Sequence, residues 1–310
     1  MKNYMVFDIG GSMVKYAVIN EDGNFIDKGE YPSAQHDFNK FKTDMVKITI
    51  ENKEKYQVCG IALSCPGGVN SDTGIIGGSS ALPCIHGPNF KEILLAETGL
   101  TLELENDANC AALGEVWKGA AKDNNNVLFV VIGSGIGGAV IKDRKIHKGN
   151  HLHGGEIGYM LLNVKNQNGK TYFKTWSELA ATGSLVSQVA RMKGIDPVNL
   201  NGKKIFDAAE AGDKECIQAI DCFYLTLAQG IFNIQYVYDP EKIILGGAIS
   251  TRKDLTNQID KKLDIIMDSV EIAKVRPNIQ SSHFKNDANL LGALFHYLQR
   301  QHLLKVKNSA

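Results

Sequence analysis

YMVFDIGGSMVKYAVIN, residues 4–20, is the stretch whose reading decides the fold. An apolar run reaches Asp8 and Ile9, breaks at Gly10-Gly11-Ser12, and resumes over 13–19. The turn residues Glu21-Asp22-Gly23-Asn24 follow, and then a third run over 25–31. Strand, tight turn, strand, turn, strand predicts an antiparallel meander. Beyond it, Phe38, Phe41, Met45, Ile48 and Ile50 recur near helical period over 37–55. Residues 57–63 form a buried strand, which Pro66, Gly67 and Gly68 force into a loop.

The opening pattern returns as VLFVVIGSGIGGAVI, residues 127–141. Helices are expected over 176–193, 203–211 and 213–236, then a strand over 242–245 ending in Gly246-Gly247, then a last helix over 288–304. The repeated order of strand, glycine turn, strand, helices and buried strand implies two similar α/β lobes. Small ligands bind in the cleft between such lobes.

Two domains also suit a length of 310 residues. Lys+Arg and Asp+Glu are both 34, so the basic excess expected of a nucleic-acid binder is missing. Lys305 and Lys307 read as a solvated helix end. The six cysteines include no CxxC pair and read as reduced thiols of a cytoplasmic protein. The chain opens straight into a strand pattern with no leader, and no apolar run approaches the ~20 residues that span a bilayer.

Four stretches carry candidate chemistry. In Asp8-Ile9-Gly10-Gly11-Ser12, with Lys15 following, a strand end delivers a carboxylate while glycines let backbone N–H groups approach a phosphate. Ser12 can donate to a phosphate oxygen, and Asp8 can hold Mg²⁺ directly or through water. This is neither a Walker A motif nor a Rossmann fingerprint. Gly133-Ser134-Gly135-Ile136-Gly137-Gly138 is followed by another strand rather than a helix, which excludes a dinucleotide site and favours a phosphate-cradling hairpin. Asn106-Asp107-Ala108-Asn109 opens a helix, whose dipole suits an ionised base; Asn286-Asp287-Ala288-Asn289 does the same, and an Asp there can equally be a cap. Spacing alone does not choose between the two copies. In His153-Gly154-Gly155-Glu156-Ile157-Gly158-Tyr159 a carboxylate sits between glycines, as a sugar ligand or as a solvated loop. The neighbouring His147, His151 and His153 lack further ligands at zinc spacing.

These pieces, in this order from Phe7 to about Tyr297, resemble the ROK family of sugar kinases and sugar-responsive repressors. DIGGSMVKYAVINEDG is similar to the family's phosphate loop, SCPGGVN to its substrate loop and ENDANCAALGE to its catalytic stretch. IGSGIGGAVI is similar to the second phosphate loop, GGEIGYM to the sugar-binding glutamate motif and IILGGAIS to the adenosine segment. The resemblance implies an actin-like ATPase (ribonuclease H-like) fold, with two lobes closing on ATP and sugar. One lobe would cover 1–118, with a helix over 290–306 packing back on it; the other would cover 119–289. Asp107 becomes the general base, with Gly67, Asn106, Glu156, Tyr159 and Glu178 at the sugar. Asp8, Gly10, Gly11, Ser12, Lys15, Gly133, Ser134, Gly135, Gly137, Gly138, Gly246 and Gly247 fall to ATP and its Mg²⁺, and a homodimer is expected.

Two departures matter. Tyr159 stands where family glucokinases have His, and NVKNQNGKTYFKTWSELAATG lacks the family's zinc cysteines, so no zinc is expected. Ala81 and Ile85 replace an Asn and a Trp, which changes a pocket wall; GEIGYM, the missing zinc motif and GGSSA are similar to the β-glucoside kinases of the family, and that resemblance implies phosphorylation at O6 of a cellobiose-type sugar or of a hexose. The rival is a sugar-responsive regulator without turnover, but the phosphate loop begins at Asp8, leaving no room before it for a winged helix.

Overall fold

A computed structural model describes residues 1–303 and divides the chain into two compact units. Lys305, Lys307 and the expected helical residues beyond 303 lie outside the described residues.

Of the described residues, unit 1 comprises 1–123, 144–154 and 286–303. Its strands are β1 (Asn3–Ile9), β2 (Met13–Asn20), β3 (Phe25–Pro32), β4 (Val58–Cys65), the short β5 (Gly68–Asn70) and β6 (Ile75–Gly77), and β7 (Leu102–Asn106). The main sheet runs β3-β2-β1-β4-β7. The first three strands form the expected antiparallel meander, while β4 and β7 join parallel to β1 and to each other. Helices α1 (Phe38–Tyr56) and α2 (Phe90–Thr98) pack Phe41, Met45, Phe90 and Leu94 against Met5, Phe7 and Ile9, one alternate set of side chains on β1. Asp37 caps α1 by accepting from the Lys40 N–H. The buried stripe of α1 is Phe41, Met45, Thr49 and Asn52, and Ile50 is exposed, so the predicted apolar stripe drifts off the core at its end.

Helix α3 (Asp107–Lys118) is introduced directly by β7, and α9 (Ala288–Arg300) packs on α3, β1, β4 and β7. The α3–α9 crossing needs glycine. A Cβ on Gly292 would fall 1.6 Å from the Cys110 carbonyl oxygen, and one on Gly114 would fall 2.5 Å from that of Ala288. Backbone meets backbone there, as small residues allow.

Unit 2 comprises 124–143 and 155–285. Its strands are β8 (Val127–Ile132) and β9 (Ile136–Lys142), followed, after the two-residue β10 (Lys145–Ile146) of unit 1, by β11 (Leu161–Gln167), β12 (Lys170–Thr175), β13 (Lys242–Gly246) and β14 (Ile279–Ser281). β9 and β8 are antiparallel, and β8, β13 and β14 are parallel in that order. This repeats the β2-β1-β4-β7 order of unit 1. The helices are α4 (Trp176–Ala180), α5 (Thr182–Lys193), α6 (Gly202–Glu210), α7 (Lys214–Tyr238) and α8 (Leu255–Ser269). The single helix expected over 176–193 is two, because Ala181 is extended at φ −77°, ψ 158°. Where the family's zinc motif would stand, β11 and β12 form a hairpin.

Candidate active site

Within unit 1 the site gathers where β1, β4 and β7 end on the same edge. Parallel pairing sets Asp8 beside Ser64 and Cys65 beside Asn106. Ser64 Oγ donates to Asp8 Oδ1 at 2.8 Å, and Asn289 Nδ2 donates to the same oxygen at 3.0 Å. The other oxygen, Oδ2, takes no hydrogen bond among the described residues, which suits a carboxylate that holds a hydrated cation. Burial pushes the Cys65 thiol well up, and Asp107, Asp8 and Glu105 push it further, so a neutral thiol sits among three carboxylates.

The turn after Asp8 is built to offer donors. Gly10 N–H donates back to the Met13 carbonyl at 3.0 Å. Ser33 Oγ and Gln35 Nε2 donate to the carbonyls of Gly10 and Gly11, each at 2.7 Å. The N–H groups of Gly11 and Ser12 donate to nothing among the described residues, and Ser12 is exposed. Lys15 lies opposite Asp8 in the β1–β2 ladder. Outward N–H groups on a glycine turn beside a carboxylate are an arrangement that can take an anion together with a cation.

Asn106, not Asp107, caps α3. Its Oδ1 accepts from the N–H groups of Ala108 and Asn109, while its Nδ2 donates to the Gly67 carbonyl at 3.0 Å. Gly67 has φ +100°, and a Cβ there would stand 2.9 Å from the Gly77 carbonyl, so the turn after Pro66 requires glycine. Asp107 is the first helical residue, and its Oδ1 accepts from the Ala108 N–H at 2.8 Å. The second Asn-Asp-Ala-Asn copy differs. Asp287 makes no side-chain cap and pairs with Lys28 at 2.8 Å, so the structure corrects its expected role as a cap. Its Asn289 instead reaches Asp8.

Glu105, one residue before Asn106, is fully buried. Oε1 accepts from Asn106 N–H at 2.8 Å and Asn109 Nδ2 at 2.9 Å. Oε2 accepts from Lys148 Nζ at 2.6 Å and Ser71 Oγ at 3.1 Å. Burial acts to raise its pKa, but neighbouring His296 and Lys148 outweigh that and hold it below the usual carboxylate range. His296 Nε2 lies 3.8 Å from Oε2, yet burial pushes this imidazole down to about 4. His296 therefore adds charge only when pH falls to about its own 4; near pH 7 it is neutral, and Lys148 is the counter-ion.

In the 78–87 segment, Ala81 is exposed against Gly11. Ile85 is fully buried with Leu82 and Phe90, so it belongs to the core rather than to a pocket wall, which corrects its reading as an opened wall. His86, not singled out from sequence, packs beside Gly67 and shares a 2.9 Å hydrogen bond with Ser80 Oγ. Nothing in its spacing announced it.

Unit 2 carries the second glycine turn. Gly133-Ser134-Gly135 is the tip of the β8–β9 hairpin, closed by Gly133 N–H donating to the Gly135 carbonyl at 2.9 Å. Thr182 N–H donates to the Gly133 carbonyl at 2.9 Å, and Ser177 Oγ accepts from Ile136 N–H at 2.8 Å, fixing the tip over the start of α5. Gly137 faces open space, whereas Gly138 is buried against Gly155 and Ile157, where it packs the loop leading to Glu156. Ser134, Ser177, Gly183, Ser184, Gln188 and Arg191 line a cavity of about 650 Å³. The uncapped N-terminus of α5 adds a positive dipole end there. Sequence reading passed over Gly183, Ser184 and Arg191, although a glycine at a helix start is a signal for close approach.

β13 ends at Gly246, and Gly247 at φ +86° turns the chain beside Ile132. Glu156 is exposed; its carbonyl accepts from Tyr159 N–H at 3.3 Å, and its carboxylate takes no hydrogen bond among the described residues. Tyr159 is 72 % exposed. Glu178, expected at the sugar, is committed to a capping box: its Oε2 accepts from Thr175 N–H at 2.9 Å, and Thr175 Oγ1 accepts from Glu178 N–H at 3.2 Å.

Among the described residues no helix is long and apolar enough to cross a membrane. A model of the ROK family matches residues 4–300. The chain is 33 % identical over 299 residues to a β-glucoside kinase of Listeria monocytogenes, covering 95 % of this chain and 97 % of that one. It is similar to the crystal structure of a ROK family protein from Streptococcus pneumoniae in complex with sucrose, at TM-score 0.87 and 38 % identity, covering 97 % of this chain and all 100 % of that one. A ROK glucokinase from Streptomyces griseus, in complex with glucose and AMPPNP, shares the fold at TM-score 0.77 and 21 % identity, covering 96 % and 99 %. With the glycine turns, the Asn106–Asp107 helix start and the repeated sheet order in place, the chain belongs to the ROK family and has its actin-like ATPase fold.

Proposed function

We propose that Asp107 is the general base of an ATP-dependent carbohydrate kinase, taking the proton of the sugar hydroxyl that attacks the γ-phosphate. The observation that carries this is the division of work at the start of α3: Asn106 supplies the cap, so the carboxylate of Asp107 is not needed for it. In phosphoryl transfer the protein mainly positions the reactants and offsets charge, and a carboxylate orients the nucleophile. Asn106 and Gly67, tied to each other, present the sugar to Asp107, and Glu156 grips further hydroxyls.

The donors at Gly10, Gly11, Ser12 and Lys15 and the Gly133–Gly137 hairpin cradle the phosphates, and Gly246-Gly247 borders the adenosine. Gly183, Ser184 and Arg191 extend the phosphate site. Asp8, with Oδ1 held by Ser64 and Asn289, would hold a hydrated Mg²⁺, which would offset phosphate charge when ATP is bound. The protein works as a cytoplasmic homodimer, a reading supported by its six free cysteines and by the family.

The substrate is a β-linked glucoside, phosphorylated at O6 of the non-reducing ring. Support comes from the β-glucoside kinase relative, from exposed Tyr159 in place of a zinc-pinned His, and from small Ala81 beside Gly11. A wall that does not clash does not reject the second ring. ADP release measured over a sugar panel should give cellobiose a higher kcat/KM than glucose. Glucose or N-acetylmannosamine ahead by tenfold, about 1.4 kcal/mol of transition-state binding, would overturn the substrate while leaving the kinase reading standing. No ADP release with any sugar would overturn both.

A further inference from the structure

We infer that Lys148 and Glu105 form a strut that positions Asp107 for catalysis, an inference that rests on Asp107 being the base. Glu105 sits at the end of β7, and its two oxygens face different parts of unit 1. Oε1 holds Asn106 N–H and Asn109 Nδ2, on either side of Asp107 in the chain. Oε2 holds Lys148 Nζ and Ser71 Oγ. Lys148 Nζ is itself fixed, donating to Ser71 Oγ at 2.6 Å and to the Val69 carbonyl at 3.3 Å. The carboxylate is thus a rigid link from the first turn of α3 to a lysine on another segment.

That lysine begins a closed loop. Gly154 N–H donates to the Lys148 carbonyl at 2.8 Å, and Gly155-Glu156 follow at once in the chain. One ion pair therefore ties the helix start carrying the base to the 148–154 loop of the same unit.

Stability does not account for the pair. Glu105 is wholly buried and Lys148 is 22 % exposed. Desolvating such a pair offsets most of its attraction, and apolar residues of like volume commonly serve stability as well. What it supplies is direction: three N–H donors, from Asn106, Asn109 and Lys148, converge on one carboxylate, while the Ser71 hydroxyl is shared between Oε2 at 3.1 Å and the Leu104 carbonyl at 2.8 Å. His296 and Arg300 border the same cavity of about 520 Å³. Neither replaces Lys148, because His296 is neutral near pH 7 and Arg300 pairs with Asp72 at 2.8 Å and with Glu103 at 3.4 Å. Glu105 and Lys148 touch no reacting atom in this account and act only through Asp107.

The test is the double variant Glu105→Gln/Lys148→Met, which leaves no unpaired buried charge. Misplacing a base by about 1 Å costs up to about 10², so kcat should fall by about 10- to 100-fold, with KM for sugar and ATP within about twofold. The single variant Lys148→Gln, which keeps a donor but not the charge, should show the same split. Adding the double change to Asp107→Asn should lower kcat by less than about twofold further, because the strut has nothing left to position. Wild-type kcat in the folded variants would overturn the inference, as would an equal fold-loss with and without Asp107. If Asp107→Asn itself remained fully active, the base assignment would fail and the strut with it. An inactive Asp107→Asn beside a fully active strut variant would reject the strut alone.

Discussion

Asp107→Asn should abolish most turnover while leaving the fold and sugar binding in place. The α3 cap belongs to Asn106, and an amide oxygen at position 107 can still accept the 2.8 Å bond from Ala108 N–H. The variant therefore removes a negative charge and a proton acceptor while keeping the Asn106 cap and that bond. General-base contributions of 10²–10⁴ put the loss of kcat in that range, about 3–5 kcal/mol of transition-state stabilisation at ~1.36 kcal/mol per decade. Asp287→Asn is the matched control. Among the described residues it pairs with Lys28, the two side chains being 42 % and 45 % exposed, and exposed pairs contribute about 0–1 kcal/mol to stability. Steady-state ADP release, with sugar affinity from calorimetry and unfolding from urea melts, reads all three quantities. Full activity in Asp107→Asn, or the same loss in both variants, would refute the reasoning.

Chelation should abolish activity and added Mg²⁺ should restore it, while elemental analysis should find no stoichiometric zinc; one tightly held zinc per chain would refute the second half. Gly292→Ala would set a Cβ 1.6 Å from the Cys110 carbonyl and should cost about 1–3 kcal/mol or more in urea melts, whereas Gly202→Ala, whose Cβ meets nothing within 4 Å, should be near neutral. Burial holds His296 neutral, its pKa near 4 against an ordinary 6.5, beside Glu105 and Lys148. The unfolded chain thus takes the proton first, and stability falls as pH drops through that window, by about 2 kcal/mol at pH ~5. His296→Leu should shrink the gap between urea midpoints at pH ~7.5 and ~5, and an unchanged gap would count against it.

The sequence by itself determined the local architecture, because local signals carry it. Alternating apolar runs broken at Gly10-Gly11-Ser12 and at Gly133–Gly135 specify strand, tight turn and strand whatever surrounds them, and both hairpins stand where they were read. The strand that runs on through Gly137 and Gly138, where a dinucleotide site needs a helix, excluded such a site for the same local reason. Motifs in order gave the family, since six short matches in sequence are far more specific than one. Tertiary structure decided the rest. Periodicity did not reveal that Ile85 lies in the core, because a lone Ile in an irregular segment has no period. Nor did spacing separate the two Asn-Asp-Ala-Asn copies: one caps its helix with Asn106, while the other sends Asn289 to Asp8, 281 positions away in the chain. Glu178 matched a motif position yet is held by the local capping box with Thr175. Above all, the buried Glu105–Lys148 pair joins residues 43 apart, by the difference of their numbers, and only packing gives that proximity a partner, a direction and a dielectric.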